Sequence, residues 1–484
     1  MRASEERVPA SLMIAGALVV AAMKSLAVLR WNDWTYGTDT GTFAQAAVNA
    51  FHGFTDGPEG GSHFAFHWSP ILALLFPLAA LTHSPLSLQI AQILLIVCSA
   101  VPLYAIVRSY SGTEWGARCG ILTLLYPPLI SIAFEEFHEL AFYPVIALGL
   151  VWSADRARWV WFAVLSLLAV TIREDVSVDL VVIGLAFAGV GLFARDERER
   201  GLLDGSPIER ERLTVAGIAM AFLAAGSLAI YTWIVIPHVG RWAPSHFYDY
   251  PFAHGPVQAV LAIFTHPAAV AGAVFTLGRL TYLLEAFAPL AFLPLFTRWT
   301  LLALPGFAGV LLASDSIVWR MGFHYSLLWT PWLLLAACWV LCKLHLGNSD
   351  DTAGRWWTVA VAICLIVLAA FNPMHPAHYL HREAYVEPEN AQRAFACVPK
   401  DARLMTHDEW FAHIALQYPK STNLDEKAAQ FSGYVVYSAA WQNAHVQAAI
   451  VPALATALRD ARFTSVCRYG DVVVLRATSY RTGE

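Results

Sequence analysis

Long apolar runs broken by short polar segments make up most of the chain, and their hydrophobic positions do not form the one-sided stripe of a surface helix on a soluble domain. Runs near 85–107, 119–134, 142–154, 158–173, 176–194, 213–236, 279–297, 299–314, 325–346 and 356–372 are expected to be spanning helices, since about 20 apolar residues cross the hydrocarbon core. The first run, Pro9 to Leu29, follows a leader with Arg2 and Arg7. Lys24 interrupts it and Trp31 to Trp34 follows with no small-residue cleavage site, so it reads as an uncleaved span. The fold class expected is a mainly α, polytopic transmembrane bundle of about eleven spans.

Two apolar stretches do not fit a straight span. Residues 71–81 are too short and read as an interfacial or re-entrant helix within a long external loop, 31–84. Residues 258–275 carry Pro267 inside them and lie just after Pro256, which argues for a helix lying along the bilayer surface. After Asn372 the texture changes. YVVYS and DVVVLRA are strand-like by their β-branched content, and they alternate with helical segments. The tail is expected to be a small α/β domain, residues 373–484, following a membrane domain, 1–372.

Composition supports this division. Of 484 residues, 57% are hydrophobic and 14% charged, against about 25% charged in soluble domains. The net charge of -5 carries no basic excess, which speaks against a nucleic-acid partner. Local charge is more telling: RDERERGLLDGSPIERER, residues 195–212, is expected on the cytoplasmic side by the lysine and arginine bias. That places the N-terminus inside and the tail outside. Cys98, Cys119, Cys338, Cys342 and Cys364 sit in apolar runs and read as small hydrophobes. Cys397 and Cys467 lie in the polar tail and could pair there if it is extracytoplasmic.

Charged groups at membrane depth cost about 2.5–3.5 kcal/mol each on insertion scales, so each asks for a reason. Asp39, between Gly37 and Gly41, reads either as a helix cap or as an outward-presented carboxylate. His63 and His67 have i, i+4 spacing that would suit a divalent metal if helical; an interfacial histidine is the plainer reading. FEEFHEL gathers Glu135, Glu136, His138 and Glu139 at a junction of two spans, a density that suits metal binding or acid–base work. Arg173, with Glu174 and Asp175 beside it, is either paired with one of them or ready for a phosphate. Arg320, His324 and Tyr325 precede an apolar run. As helical neighbours Arg320 and His324 could hold a phosphate or anchor to lipid headgroups. P-loop, GxSxG and paired CxxC patterns are absent from the sequence, so nucleotide hydrolysis, serine acylation and structural zinc have no support.

These residues carry a resemblance. D-x-G-x-F-x-Q at Asp39 to Gln45, H-x-S-P at His67 to Pro70, FHEL at Phe137 to Leu140, R-E-D-V at Arg173 to Val176, and H-Y at His324 and Tyr325 together resemble the bacterial and archaeal membrane family called domain of unknown function 2079. That family is itself similar to GT-C type glycosyltransferases. The sequence departs from the family pattern at Thr38 and Leu140, without losing a charged candidate.

The resemblance implies a multi-pass protein of the cytoplasmic membrane that moves a sugar from a polyprenyl-phosphate donor to an extracytoplasmic acceptor, with Asp39 as base. Transfer is expected to invert the anomeric centre. Arg173, Arg320, His324 and Tyr325 would face the donor phosphate, and a divalent cation, Mg or Mn, would sit at Glu136, His138 and His67. A lipid or solute transporter or flippase, and a non-catalytic envelope assembly protein binding partners through its tail, stay open as other readings.

Overall fold

Buried and lipid-exposed helices divide clearly in the computed structural model, which describes residues 8–193, 207–239, 249–347, 350–370, 388–441 and 445–481. Helix Thr330–Leu346 is apolar all round, and every residue from Thr330 to Trp339 is buried. That is the pattern of a helix at the centre of a bundle. Helix Ala10–Asn32 is as apolar, yet buries only Leu12, Met23, Ala27 and Arg30, as a helix at a lipid-facing rim does.

Among the described residues, five helical stretches are long and apolar enough to cross a membrane: Ala10–Asn32, Leu86–Leu125, Glu174–Phe193, Glu209–Val239 and Asp350–Ala370. The pair Pro267–Val274 and Leu277–Leu290, bent by 65°, makes a sixth if it is one broken span. The 40-residue stretch Leu86–Leu125 is not straight. Gly112 takes φ 80°, ψ 174°, and a Cβ on Gly116 would lie 3.0 Å from both Tyr104 O and Arg108 Cβ. Twelve residues of straight helix would separate positions 104 and 116 by about 18 Å, so the chain reverses at Gly112 into a helical hairpin. Shorter apolar helices, among them Trp159–Ala169, Arg298–Leu311 and Thr330–Leu346, complete the bundle. The last of these, about 26 Å long, falls slightly short of the ~30 Å hydrocarbon core.

Two expected spans, 279–297 and 299–314, take a different form. Helix Leu277–Phe287 ends in 3-10 turns at Ala288–Leu290, Leu293–Phe296 and Arg298–Ala303 before helix Leu304–Leu311 begins. Ala291 and Phe292 have φ of 51° and 57°, left-handed values that stop a helix; Pro289 and Pro294 add to the break. In 258–275, helices Pro256–Thr265 and Pro267–Val274 meet at His266, the interruption that Pro267 predicts. Residues 70–82 form a 3-10 turn, Pro70–Leu75, running into helix Phe76–Thr82.

The external loop also holds a small hairpin, β1 (Thr55–Asp56) with β2 (Gly61–Ser62). A second hairpin pairs β3 (Asp249–Tyr250) with β4 (Ala253–His254). Residues from 388 onward build a five-stranded mixed sheet in the order β6-β5-β7-β9-β8. Its strands are β5 (Leu404–Thr406), β6 (Ser421–Asn423), β7 (Tyr434–Ser438), β8 (Phe463–Tyr469) and β9 (Val472–Ala477). β5 runs parallel to β6 and β7, and β9 antiparallel to β7 and β8. YVVYS is buried at all five positions of β7. Around it lies a hydrophobic core separate from that of the helical bundle. A disulfide joins Cys397 and Cys467, while the other five cysteines are free. The expected boundary at 372–373 and most of the arginine-rich loop fall outside the described residues.

This sheet unit packs on the helix Thr38–Val48. Gln45 Nε2 donates to Ala415 O at 3.0 Å and Gln45 Oε1 accepts from Gly57 N–H at 2.9 Å, joining the unit, the helix and the hairpin. A Cβ on Gly41 would stand 2.6 Å from the Phe411 ring, so only glycine allows this approach. His413 stacks on Trp34, centroids 4.2 Å apart, and lies 4.0 Å from the Trp31 ring.

Candidate functional site

Helix ends, not helix middles, supply the polar cluster. Asp39 lies in the first turn of helix Thr38–Val48, whose N-cap is Gly37. The Asp39 side chain therefore does not cap the helix, and 46% of it is exposed. The Asp39 N–H donates to Glu136 Oε2 at 2.9 Å. A Cβ on Gly37 would fall 2.3 Å from Glu136 Oε1, so any larger residue there displaces this carboxylate.

Behind Asp39 stands the FEEFHEL loop, between helices Pro127–Phe134 and Phe142–Asp155. His138 Nε2 lies 3.3 Å from Asp39 Oδ2, and His138 Nδ1 lies 3.3 Å from Glu139 Oε2. Glu139 is fully buried. Burial alone would depress the His138 imidazole, but its hydrogen bonds to Asp39 and Glu139 outweigh that and raise it to about 9. For Glu139, burial pushes upward and the bond to His138, with Arg173 nearby, wins by pulling it well below the carboxylate range. The pair is an imidazolium and a carboxylate.

Arg173 closes the network, with Nε donating to both Asp175 oxygens at 3.0 Å and NH1 reaching Glu139 Oε1 at 3.5 Å. Its third contact to Asp175 is through NH2. Its guanidinium lies over the Tyr325 ring, 4.8 Å from the centroid. Of the two carboxylates beside Arg173, Asp175 is the one in contact. Glu174 turns instead to His67, with Nδ1 to Oε1 2.8 Å, and accepts the Trp68 N–H at 2.9 Å. His324 stacks on His138, centroids 3.3 Å apart. Both its ring nitrogens are buried without a hydrogen-bond partner. Burial, then the charges of His138 and Arg173, keep His324 well below the usual histidine range and so neutral.

Asp39, Glu136, His138, Glu139, Arg173, Asp175, His324 and Tyr325 thus meet in one network, although they come from four separate segments. Glu135 lies at the edge of the same loop. Arg320 is apart: it is exposed, and residues 316–319 and 321–322 are turns, with Gly322 at φ 88°. Arg320 and His324 therefore do not share the helical face expected of them. His63 and His67 are divided as well. Their rings are 6.0 Å apart, and His63 Nδ1 faces Glu59 at 2.9 Å while His67 faces Glu174. A 3-10 turn at His63–Ala65 replaces the helix their spacing called for.

The donors expected to hold a metal, Glu136, His138 and His67, do not gather. Glu136 Oε2 is taken by a backbone N–H and both His138 nitrogens face carboxylates. Among the described residues, one group of three brings its ligand atoms within 4.8 Å of one another: Asp56, Glu59 and His63. Burial and the neighbouring Glu59 push Asp56 up to about 9, and burial raises Glu59 to about 7.

Sequence reasoning passed over two residues that build the site. Gln92 Nε2 donates to Ile132 O at 2.8 Å and Glu136 O at 3.0 Å, and its Oε1 accepts the His138 N–H at 2.9 Å. Buried Arg30 donates to Phe134 O at 2.8 Å and Thr35 O at 3.1 Å. Gln89 and Gln92 in the apolar run LSLQIAQIL were the available signal, since amides in such runs need partners. The wide apolar groove of about 830 Å³ between helices Trp159–Ala169 and Pro207–Ile230 is lined by none of the clustered residues.

Solved structures of membrane-bound transferases resemble this fold. ArnT from Cupriavidus metallidurans bound to undecaprenyl phosphate aligns over 98% of this chain and 100% of its own, with TM-score 0.53 and 11% identity. The apo form of that protein covers 95% and 98%, with TM-score 0.49 and 12% identity. The Archaeoglobus fulgidus oligosaccharyltransferase in the apo form covers 93% of this chain and 73% of its own, with TM-score 0.45 and 12% identity. The likeness to ArnT, at 11% identity, is one of fold alone: the protein is a helical membrane protein with an ArnT-like fold. Within that class, the chain belongs to the family of predicted membrane proteins DUF2079, whose model matches residues 33–450. A comparison with curated proteins finds no match.

Proposed function

We propose that the protein is an inverting membrane glycosyltransferase that moves a sugar from a polyprenyl-phosphate donor to an acceptor hydroxyl outside the cytoplasm. The observation that carries this reading is the half-exposed Asp39 carboxylate backed by His138, Glu139 and Arg173, in a fold shared with a protein crystallised with undecaprenyl phosphate. In this reading Asp39 takes the acceptor proton as the acceptor oxygen attacks the anomeric carbon. The bond from that carbon to the phosphate oxygen breaks on the opposite face, and polyprenyl phosphate departs with the electron pair. Attack from the far side inverts the centre. General-base help of this kind contributes roughly 10²–10⁴ in rate.

The imidazolium of His138 orients Asp39. Neutral His324, with two unpartnered ring nitrogens, donates an N–H to the leaving phosphate, where charge develops. Arg173 supplies positive charge behind it, and Tyr325 holds the guanidinium plane. The N-terminus faces the cytoplasm, residues 1–372 form the membrane domain, and residues 373–484 lie outside. The Cys397–Cys467 disulfide supports that side, because disulfides persist in oxidising compartments.

The test is release of free polyprenyl phosphate from polyprenyl-phosphate sugars by protein in liposomes. Wild type is expected to release it in the presence of acceptor-rich envelope extract. Asp39→Asn should lose at least a hundredfold in rate while still binding the lipid, and normal turnover in that variant removes Asp39 from the chemistry.

A further inference from the structure

We infer that Asp56, Glu59 and His63 form a binding site for one divalent metal ion of the Mn²⁺ or Zn²⁺ type. The site is distinct from the Asp39 network and independent of the transferase reading. All three residues fall within eight positions of one loop, and the β1–β2 hairpin sets their geometry. Asp56 pairs with Gly61 across the strands, and the Glu59 N–H closes the turn onto Asp56 Oδ1 at 2.8 Å. The His63 N–H then ties back to Phe54 O at 2.8 Å. The frame is held from outside too, by Gln45 on the Gly57 N–H at 2.9 Å and by Asn49 Nδ2 on Thr55 O at 2.8 Å. Metal sites are built on such rigid supports.

The donor set and its spacing are those of a cation site. His63 Nδ1 stands 3.0 and 2.9 Å from the two Glu59 oxygens, and one ligand atom from each of the three residues lies within 4.8 Å of the others. Ligands bound at about 2.0–2.2 Å in tetrahedral geometry sit roughly 3.3–3.6 Å from one another, so small side-chain rotations bring the three onto one ion.

A polar atom of the group has no hydrogen-bond partner although its residue is more than nine-tenths buried: Asp56 Oδ2, in a residue 8% exposed. A buried carboxylate oxygen without a donor is costly, and a cation shared with Glu59 and His63 satisfies it. Two carboxylates with one imidazole select a borderline transition ion, and three protein ligands leave a position open for water or an anion. A cavity of about 240 Å³ lies beside the group, lined by Asp56, Gly57 and Gly60 of the hairpin and by Arg403, Lys420 and Thr422 of the sheet unit. The His63 ring also lies 5.2 Å from Phe43 and 6.0 Å from His67, which sets the site beside the polar network.

The experiment uses the full chain in detergent, stripped with chelator and then titrated with Mn²⁺ alone. Metal content is read by elemental mass spectrometry, and ligation by pulsed electron paramagnetic resonance. Wild type is expected to retain about one Mn²⁺ per chain with nitrogen coupling from one imidazole. Asp56→Asn and Glu59→Gln should weaken retention at least tenfold, and His63→Gln should remove the nitrogen coupling. Exposed Glu426→Gln should change nothing. Folded wild type without stoichiometric Mn²⁺ overturns the site, as does nitrogen coupling that persists in His63→Gln. If a variant fails to fold, wild-type stoichiometry and coupling still decide. Sugar transfer is not read in this experiment, so loss of the transferase reading would leave its result untouched.

Discussion

Replacing Gln92 with leucine tests whether one buried amide sets the geometry of the cluster. In the native chain the Gln92 side chain accepts the His138 N–H and donates to Ile132 O, Glu135 O and Glu136 O at 2.8 to 3.2 Å. Gln92 itself is fully buried. Leucine preserves the volume and removes every one of these bonds. A buried donor left without a partner costs about 1–3 kcal/mol, and the His138 N–H is such a donor. Adding one orphaned carbonyl brings the expected loss to roughly 2–6 kcal/mol, with every 1.4 kcal/mol a factor of ten in the equilibrium. The loop carries Glu136 and His138, so Asp39 loses its alignment together with the stability. The assay is reversible unfolding of the purified protein in mixed micelles, with lipid-phosphate binding measured on the folded fraction. Gln92→Leu within about 0.5 kcal/mol of wild type, an ordinary surface-substitution effect, with unchanged binding refutes the bracing role.

Three further predictions follow from other parts of the structure. His138 is raised from 6.5 to about 9 in the folded protein, so its contribution is fully present below pH 6.5 and is lost as pH rises through 9. Unfolding midpoints should fall between pH 6.5 and 9, and the His138→Gln variant should show a flatter profile; an equal slope in both contradicts the assignment. A Cβ on Gly57 would lie 1.8 Å from Ser421 O, so Gly57→Ala must part the hairpin from the sheet unit. It should cost about 1–3 kcal/mol, as overpacking does, measured by the same unfolding assay. Finally, Cys397 and Cys467 should resist alkylation until reductant is added, and Cys397→Ser should destabilise the sheet unit by about 2–4 kcal/mol. Ready alkylation of both thiols without reductant in membrane-embedded protein would place this unit in a reducing compartment.

The helical class and the polar cluster were legible because both rest on strong physical constraints. Long apolar runs have no soluble alternative, and charges at membrane boundaries are costly, so Asp39, His138, Glu139, Arg173 and His324 stood out one by one. Their pairing was not legible. Arg173 has Glu174 and Asp175 as adjacent candidates, and helix Glu174–Phe193 begins in an orientation that hands Glu174 to His67 and leaves Asp175 for Arg173. Spacing misled at His63 and His67, where a 3-10 turn after the hairpin sends each ring to its own glutamate. It misled again at Arg320 and His324, where Gly322 at φ 88° breaks the helix. Gln92, Asp56 and Glu59 act through partners far from them or through a hairpin of two-residue strands, and neither leaves a period in the sequence.

In the function proposed here, the cluster at Asp39 receives a lipid phosphate. Native mass spectrometry of the purified protein with polyprenyl phosphate tests it most directly, comparing wild type with Arg173→Ala and His324→Ala. Wild type is expected to retain one polyprenyl phosphate, and each folded variant to retain it at least tenfold more weakly. Folded wild type that retains none, or variants that retain it as wild type does, would rule out a lipid-phosphate site at Asp39.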